Sequence, residues 1–358
     1  MKKIKEKKST FTPLTIVLLC ILILYCLSMF YLLLWGVLTS LKANTAGFEA
    51  SPFGFIPNFE KYYYNFVAQR DELQALPRPQ LGPAGIGKIN KLNTYIVSLE
   101  NVKNEMGSWI HLYAYKHILQ EFTYTTIEYP GHPIATIPMW KMYVYSILYA
   151  GGCAFVSTFV PCISAYACAR YKYKFSRFMH TLVVVVMMIP IVGSAPSEIA
   201  LAKSLGVFNE IWGLWIMKAN FLGLYFLMFY DICKSLPASF SEAAKIDGAN
   251  NYQIFFQIAM PLIKNTFFTV LLIRFIGFWN DYQTPMVFLP SYPTVAFGLN
   301  NLLSKAGNAQ STLDSGFELT AVPSKMAAVV LTATPVCILF AIFQNRLLGN
   351  LTMGGVKG

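Results

Sequence analysis

Apolar residues along this chain fall into long blocks rather than short alternations. The blocks run Leu14–Leu41, Met142–Ala169, Phe178–Ile191 with a proline-interrupted continuation, Ile211–Tyr230, Thr266–Val287 and Met326–Leu347. A helix needs about 20 apolar residues, at about 1.5 Å of rise each, to cross about 30 Å of hydrocarbon. The pattern therefore predicts an all-α polytopic membrane protein with about six crossings. The third block reaches the required length only by continuing past Pro190 and Pro196, whose lost hydrogen bonds packed membrane helices tolerate. The leading "MKKIKEKKST" resembles the basic start of a signal peptide. The run after it is too long for a signal core of about 7–15 residues and ends in no small-residue cleavage site, so a retained helix is expected.

Polar sequence fills the gap from Ala43 to Trp140. Pro and Gly cluster in "LPRPQLGPAGIGK", Leu76 to Lys88, which predicts turns or loops. Asn90 to Phe122 has the periodicity of one or two amphipathic helices. The expected organisation is 1–41 for the N-terminus and first crossing, 42–140 for a folded insertion, 141–350 for the helical core and 351–358 for a tail. Within the core, 235–262 forms a polar loop between the fourth and fifth crossings.

Composition agrees: 55% of the 358 residues are hydrophobic and only 13% charged, against about 25% charged in soluble domains. The net charge of +11 does not point to nucleic acid, because most Lys and Arg flank the apolar blocks. Flanking cations mark the cytoplasmic side. The N-terminal lysines, Arg170, Lys172, Lys174 and Arg177, and then Arg346 and Lys357 place both termini in the cytoplasm. An even count of crossings puts 235–262 there too and the 42–140 insertion outside. The seven cysteines, Cys20, Cys26, Cys153, Cys162, Cys168, Cys233 and Cys337, all lie in or beside apolar blocks, so no disulfide framework is read.

The polar loop holds "SEAAKIDGANNYQIFFQIAMPL", Ser241 to Leu262. Pro237 favours a helix start, "ASFSEAAKI" continues it, and Gly248 can take the positive φ that ends it. "NNYQIFFQIAM" then begins a second helix, with Phe255, Ile258 and Ala259 at helical spacing, and Pro261 marks a bend toward the fifth crossing. Read physically, this is a short helix-turn-helix along the cytoplasmic face. It is either an interfacial loop or a rigid knob for another protein.

Glu242, Ala243 and Ala244, then Gly248, then Ile258-x-Met260-Pro261 resemble the coupling loop of ABC importer permeases, with Met260 where Leu is usual. "KIDGA", containing Asp247 and Ala249, is similar to the sugar-importer version. "MIP" at Met188–Pro190, "SLG" at Ser204–Gly206, "FWND" at Phe278–Asp281 and "GGVKG" at Gly354–Gly358 resemble the maltose-type, carbohydrate-uptake permeases, from about Trp140 to the C-terminus. The resemblance implies a type I importer fold in the plasma membrane of a prokaryote. It implies a second homologous permease, two ATPase subunits that carry ATP and Mg, and an extracytoplasmic solute-binding protein as partners. This chain would then bind lipid but no cofactor, metal or nucleic acid of its own. The external segment is longer than the family usually carries, and Glu198, Lys218 and Arg274 put charge where its pattern is mostly apolar. Those departures bear on the solute: a sugar or oligosaccharide is implied, with a peptide or phosphorylated polyol as the rival. A membrane-anchored sensor or adaptor is the rival from outside transport, and the coupling loop argues against it.

No enzyme site stands out. "GPAGIGKI", Gly82 to Ile89, lacks the Ser or Thr of a phosphate-binding loop and has no strand before it. His111, His117 and His132 lack metal-ligand spacing, and no Ser-His-Asp or Cys-His arrangement appears. "NLT" at Asn350–Thr352 matches a glycosylation acceptor but falls on the cytoplasmic side. Arg274 lies about nine residues into the fifth crossing, near its middle. An Arg there costs about 2.5–3.5 kcal/mol on insertion scales and should face the bundle interior. It is expected either on the transport path or paired with an acid such as Glu198 or Asp231. Trp279, Asn280 and Tyr282 are candidates to line the same path, with ordinary packing as the alternative for the aromatics.

Overall fold

The computed structural model describes residues 13–42, 45–53, 59–171, 173–189, 193–304 and 321–351. They divide into two compact units, Met1–Ile118 with Lys305–Leu331 and Leu119–Ser304 with Thr332–Gly358. The unit boundary at Ile118 falls inside the expected 42–140 insertion.

The first unit opens on α1 (Pro13–Ser40), which is apolar on every face and exposed over most of its length. Its last turn is tied down: Trp35 Nε1 donates to Pro52 O at 2.8 Å, and Ser40 Oγ lies 2.5 Å from the Tyr115 hydroxyl. The buried Lys42 ammonium donates to Ser51 O and Pro52 O. Next come α2 (Thr45–Ala50), α3 (Phe59–Gln74), α4 (Arg78–Met106), a 3₁₀ turn (Gly107–Leu112) and α5 (Tyr113–Glu121). Ala46, Phe59 and Leu99 are buried together, with Tyr63, Phe66 and Tyr95 packed against them. Beside them, Lys116 Nζ donates to Glu105 at 2.7 Å and the His117 ring nitrogen lies 3.1 Å from the same carboxylate. Hydrogen bonding from Lys116, and then from His117, holds the Glu105 carboxyl below its usual pKa, against the opposite pull of burial.

The Asn90–Phe122 expectation of amphipathic helices holds, while the Leu76–Lys88 expectation of loops does not. Only residues 75–77 turn; Pro77 caps α4, and "GPAGIGKI" is helical with a kink at Gly82 (φ +59°). Proline suits a first helical turn, where its missing N–H costs nothing, so Pro79 opens α4 and Pro83 restarts it after the kink.

The second unit begins with a two-stranded antiparallel ribbon, β1 (Thr123–Thr125) and β2 (Thr136–Pro138), in register at Tyr124 and Ile137. It is a departure from the all-helical expectation, made by a short threonine-rich stretch on either side of the "YPGHP" turn. The unit continues through α6 (Met139–Arg170), α7 (Lys174–Met188), α8 (Ala195–Ser204), α9 (Ile211–Met217), α10 (Leu224–Ser235), α11 (Ala238–Ile246), α12 (Asn251–Asn280), α13 (Gln283–Phe288) and α14 (Val295–Ser304). The last helix, α15 (Val322–Leu351), starts in the first unit and ends in the second.

Four described helices are long and apolar enough to cross a membrane: α1, α6, α12 and α15. The expected third and fourth crossings are not single helices. α7 stops at Met188, about 22 Å long, and Pro196 lies in the first turn of α8, where proline is tolerated. The fourth is broken between Met217 and Leu224 into α9 and α10. The fifth starts earlier and ends earlier than expected, running unbroken from Asn251 to Asn280. Pro190 lies outside the described residues.

Two buried clusters hold this unit. Cys162, Tyr166, Val183, Phe226, Phe229, Ile263 and Phe267 are in one, drawn from α6, α7, α10 and α12. Tyr149, Cys153, Ala202, Val207, Leu214, Phe288 and Leu289 are in the other.

Candidate functional site

The Ser241–Leu262 segment folds as two helical pieces joined by a tight turn. α11 covers Ala238–Ile246 with Pro237 as its cap. Its end is closed by two reversed bonds: Ala249 N–H to Ala244 O at 2.9 Å and Gly248 N–H to Lys245 O at 3.1 Å. This is the Schellman arrangement, which satisfies orphan carbonyls and requires a left-handed residue one place past the cap. Gly248 fills that place at φ +82°. The spacing from Ala244 to Gly248 and Ala249 is thus the spacing of a helix stop.

The next helix opens on a capping box. Gln253 N–H donates to Asn250 Oδ1 at 2.8 Å and Asn250 N–H donates to Gln253 Oε1 at 2.7 Å. A π turn, Ile254–Ala259, follows, in which Met260 N–H reaches back to Phe255 O. Pro261 therefore sits in a continuous helix rather than at a sharp bend, the wider turn before it making room for its ring. A stripe at every fourth residue drifts about 40° per step around an α-helix. The extra residue of the π turn winds that drift back, so Phe255, Ala259, Ile263 and Phe267 all enter one cluster.

Burial separates the two halves of the knob. Ala244 is buried and Ala249 half-buried, while Glu242, Ala243, Asp247, Gly248 and Pro261 are exposed and Ile258 is half-buried. Ile246 is 87% exposed and Tyr252 78%, with Phe240 and Phe256 also exposed. On the other side, Glu242 borders a cleft of about 1060 Å³ lined by Arg170, Lys174, Arg177, Lys234 and His180. It is the one acid among the described lining residues of that cleft. Arg170 Nη2 also donates to Pro237 O at 3.4 Å.

The second candidate group does not come together. Trp279 is 3% exposed, donates to Thr332 O at 3.1 Å and packs on Phe275 and Tyr143. Its indole is a packing element, because its one polar atom is already satisfied. Asn280 is exposed and folds back on its own helix, donating to Ile276 O at 3.0 Å, and Tyr282 is exposed at the start of α13. Asp281, between them, accepts from the buried Tyr149 hydroxyl at 3.0 Å and from Thr284 N–H at 3.0 Å. That anchor was not singled out in the sequence; "FWND" was its only signal.

Arg274 stands apart, about 9 Å short of the end of α12. The guanidinium lies 4.6 Å from the Tyr225 ring centre and 5.9 Å from that of Phe278. Neither Glu198 nor Asp231 pairs with it; Glu198 accepts from Ser194 Oγ at 2.6 Å instead. Nε of Arg274 is buried without a hydrogen-bond partner among the described residues. The side chain borders a cavity of about 230 Å³ formed by Pro161 of α6 and by Asn220 to Phe226, the break between α9 and α10.

The turn after α8 supplies another element. Gly206 (φ +68°) closes α8, with Val207 N–H to Ala202 O at 3.0 Å and Gly206 N–H to Lys203 O at 3.1 Å. Asn209, left-handed at φ +64°, then locks onto the segment after α13. Its N–H donates to Phe288 O at 2.9 Å, its Nδ2 to Ser291 Oγ at 2.9 Å, and its Oδ1 accepts from Ser291 N–H at 3.0 Å.

Residues 157–351 match the family described as binding-protein-dependent transport system inner membrane component. Among curated proteins, the chain is 31% identical to the arabinooligosaccharides transport system permease protein AraQ of Halalkalibacterium halodurans, over 54% of this chain and 65% of that protein. It is 31% identical to the galactooligosaccharides transport system permease protein GanQ of Bacillus subtilis, over 54% of this chain and 66% of that one. The chain thus spans just under two thirds of the length of these relatives. A solved bacterial ABC transporter involved in the import of the acidic polysaccharide alginate has the same fold, with a TM-score of 0.50 and 24% identity over 65% of this chain and 78% of that chain.

Proposed function

The chain belongs to the family of binding-protein-dependent transport system inner membrane components, and on that premise we propose that it is the permease subunit of an ATP-driven importer for a sugar or oligosaccharide. The permeases named for arabino- and galactooligosaccharides support the solute class. The observation that carries the mechanism is the knob: a helix stopped by Gly248 with Ile246 exposed at its end, a tight turn, and Tyr252 exposed at the start of a 30-residue helix.

In this reading both termini and the knob are cytoplasmic. The knob docks into one of two ATPase subunits, which bind and hydrolyse ATP. This chain performs no chemistry and carries no cofactor. A second homologous permease completes the pathway, and an extracytoplasmic binding protein delivers the solute. The exposed helices α3 to α5 and the intervening turn form part of the outer segment on which that protein or the partner permease lands. ATP drives import only because closure of the ATPases changes the contacts of the docked knob, shifting the bundle between two packings that open to opposite sides.

The test is reconstitution of the four-component complex in liposomes, with uptake and ATP hydrolysis followed across a panel of oligosaccharides, peptides and sugar phosphates. Saccharide-stimulated ATP hydrolysis with matching uptake is expected. Stimulation by peptides alone would overturn the solute class, and hydrolysis indifferent to every solute would overturn the transport reading.

A further inference from the structure

We propose that the cavity at Arg274 receives the carboxylate of an acidic saccharide, so that the imported solute carries a uronic acid residue; this rests on the saccharide reading above.

Arg274 carries a charge that no described residue balances. A guanidinium in a membrane helix costs about 2.5–3.5 kcal/mol on insertion scales, and such residues are ordinarily paired. Among the described residues, Arg274 has no ion pair and no hydrogen bond, and its Nε is buried and unmatched. Tyr225 and Phe278 face the cation. Desolvated cation–π contacts reach about 2 kcal/mol, enough to hold the side chain in place. They use the faces of the rings and leave the in-plane donors unspent. A guanidinium has five N–H donors in a flat fork, matched to two carboxylate oxygens.

The cavity beside that fork points the same way. It is walled by the break between α9 and α10, where Gly223 precedes the first turn of α10. The N–H groups of Leu224 and Tyr225 have no acceptor within their own helix, and the helix dipole is positive at that end. No acidic residue is among the described residues that line the cavity. One fixed cation, one helix start and no carboxylate make a site of single positive charge. A carboxylate neutralises it; a phosphate dianion would bring one charge too many. Phe221 and Tyr225 are also in the wall, and the Tyr225 ring already holds the guanidinium.

The experiment compares permeases in the full reconstituted complex, always with the same binding protein, so that a change in selectivity belongs to this chain. The probes are an oligogalacturonate, its methyl ester, a neutral oligosaccharide of equal length and a sugar phosphate. The wild type is expected to import the acid in preference to the ester and to the phosphate. Arg274→Gln should shrink the acid-to-ester uptake ratio by roughly tenfold or more, the scale of a lost charged hydrogen bond, and Arg274→Lys should restore part of it. An unchanged ratio in Arg274→Gln overturns the proposal, as does an equal loss of acid and neutral uptake, which marks a purely structural role. If Arg274→Gln fails to assemble, Arg274→Lys and the wild-type panel decide. A wild type that imports only neutral saccharides, or prefers the sugar phosphate, overturns the carboxylate assignment and leaves the saccharide importer standing. A wild type that imports no saccharide overturns both.

Discussion

The turn after Ser204 and the turn after Ile246 share one backbone pattern and differ in what surrounds them. Each ends a helix with a left-handed glycine and the same pair of reversed hydrogen bonds. At the first, Ala202 and Val207 are both buried in one cluster and Asn209 ties the loop to Phe288 and Ser291. At the second, the flanking Ile246 and Tyr252 stand in the open. The positions that usually meet across a Schellman stop are Ala202 and Val207 at the first turn, both buried, and Ala244 and Ala249 at the second, buried and half-buried. At the second, the larger apolar side chains Ile246 and Tyr252 lie outside that pair and are exposed. Local sequence sets the turn; its surroundings decide how much of the flanking apolar surface is covered.

Four substitutions sharpen that contrast, the largest effect first. Asn209→Ala removes two long-range side-chain hydrogen bonds, both to Ser291, at a buried, left-handed position. Leaving the Ser291 groups unmatched should cost about 2–4 kcal/mol, read as a lower thermal midpoint and a lower yield of purified complex. A midpoint equal to the parent's would show that the inner turn is not a clamp. Next, Gly206→Val and Gly248→Val impose the same backbone strain, about 1–3 kcal/mol, because a β-branched residue resists positive φ. The first should lower the thermal midpoint. The second should leave membrane insertion intact while uptake and saccharide-stimulated ATP hydrolysis fall about tenfold or more. Wild-type stimulation in Gly248→Val would falsify the assignment of the knob. The smallest effect on the fold belongs to Ile246→Ser, expected within about 0.5 kcal/mol of the parent because the side chain touches so little. Its reading is functional: weaker binding of the ATPase subunits in pull-down, with the thermal midpoint unmoved. Equal loss of both would put Ile246 in the interior instead.

What the sequence made legible was local. The Glu242 to Pro261 pattern encodes a helix stop and a restart, both decided within a few residues, while the capping box of Asn250 and Gln253 that opens the restart emerged only from the structure. The breaks in the third and fourth crossings were harder to see. Pro190 and Pro196 gave warning for one, and Lys218, Asn220 and Gly223 carried the signal for the other, set within an otherwise apolar run. Trp279 shows the opposite limit. Its motif marked it, yet whether it lines a path or fills a core depends on Thr332 and Tyr143, far off in the chain. The same holds for Arg274, whose contact with Tyr225 joins two helices that no periodicity connects.

The continuity of α12 has a mechanical meaning. Because the π turn keeps the helix unbroken through Pro261, the second half of the knob and the span form one rod about 45 Å long from Asn251 to Asn280. Arg274 sits about 35 Å along it from Asn251. A tilt of about 5° at the knob end would sweep the guanidinium through about 3 Å, the length of one hydrogen bond. A motor tilting the knob end would therefore make or break the proposed grip on cargo about 35 Å away with no signal relayed through intervening side chains.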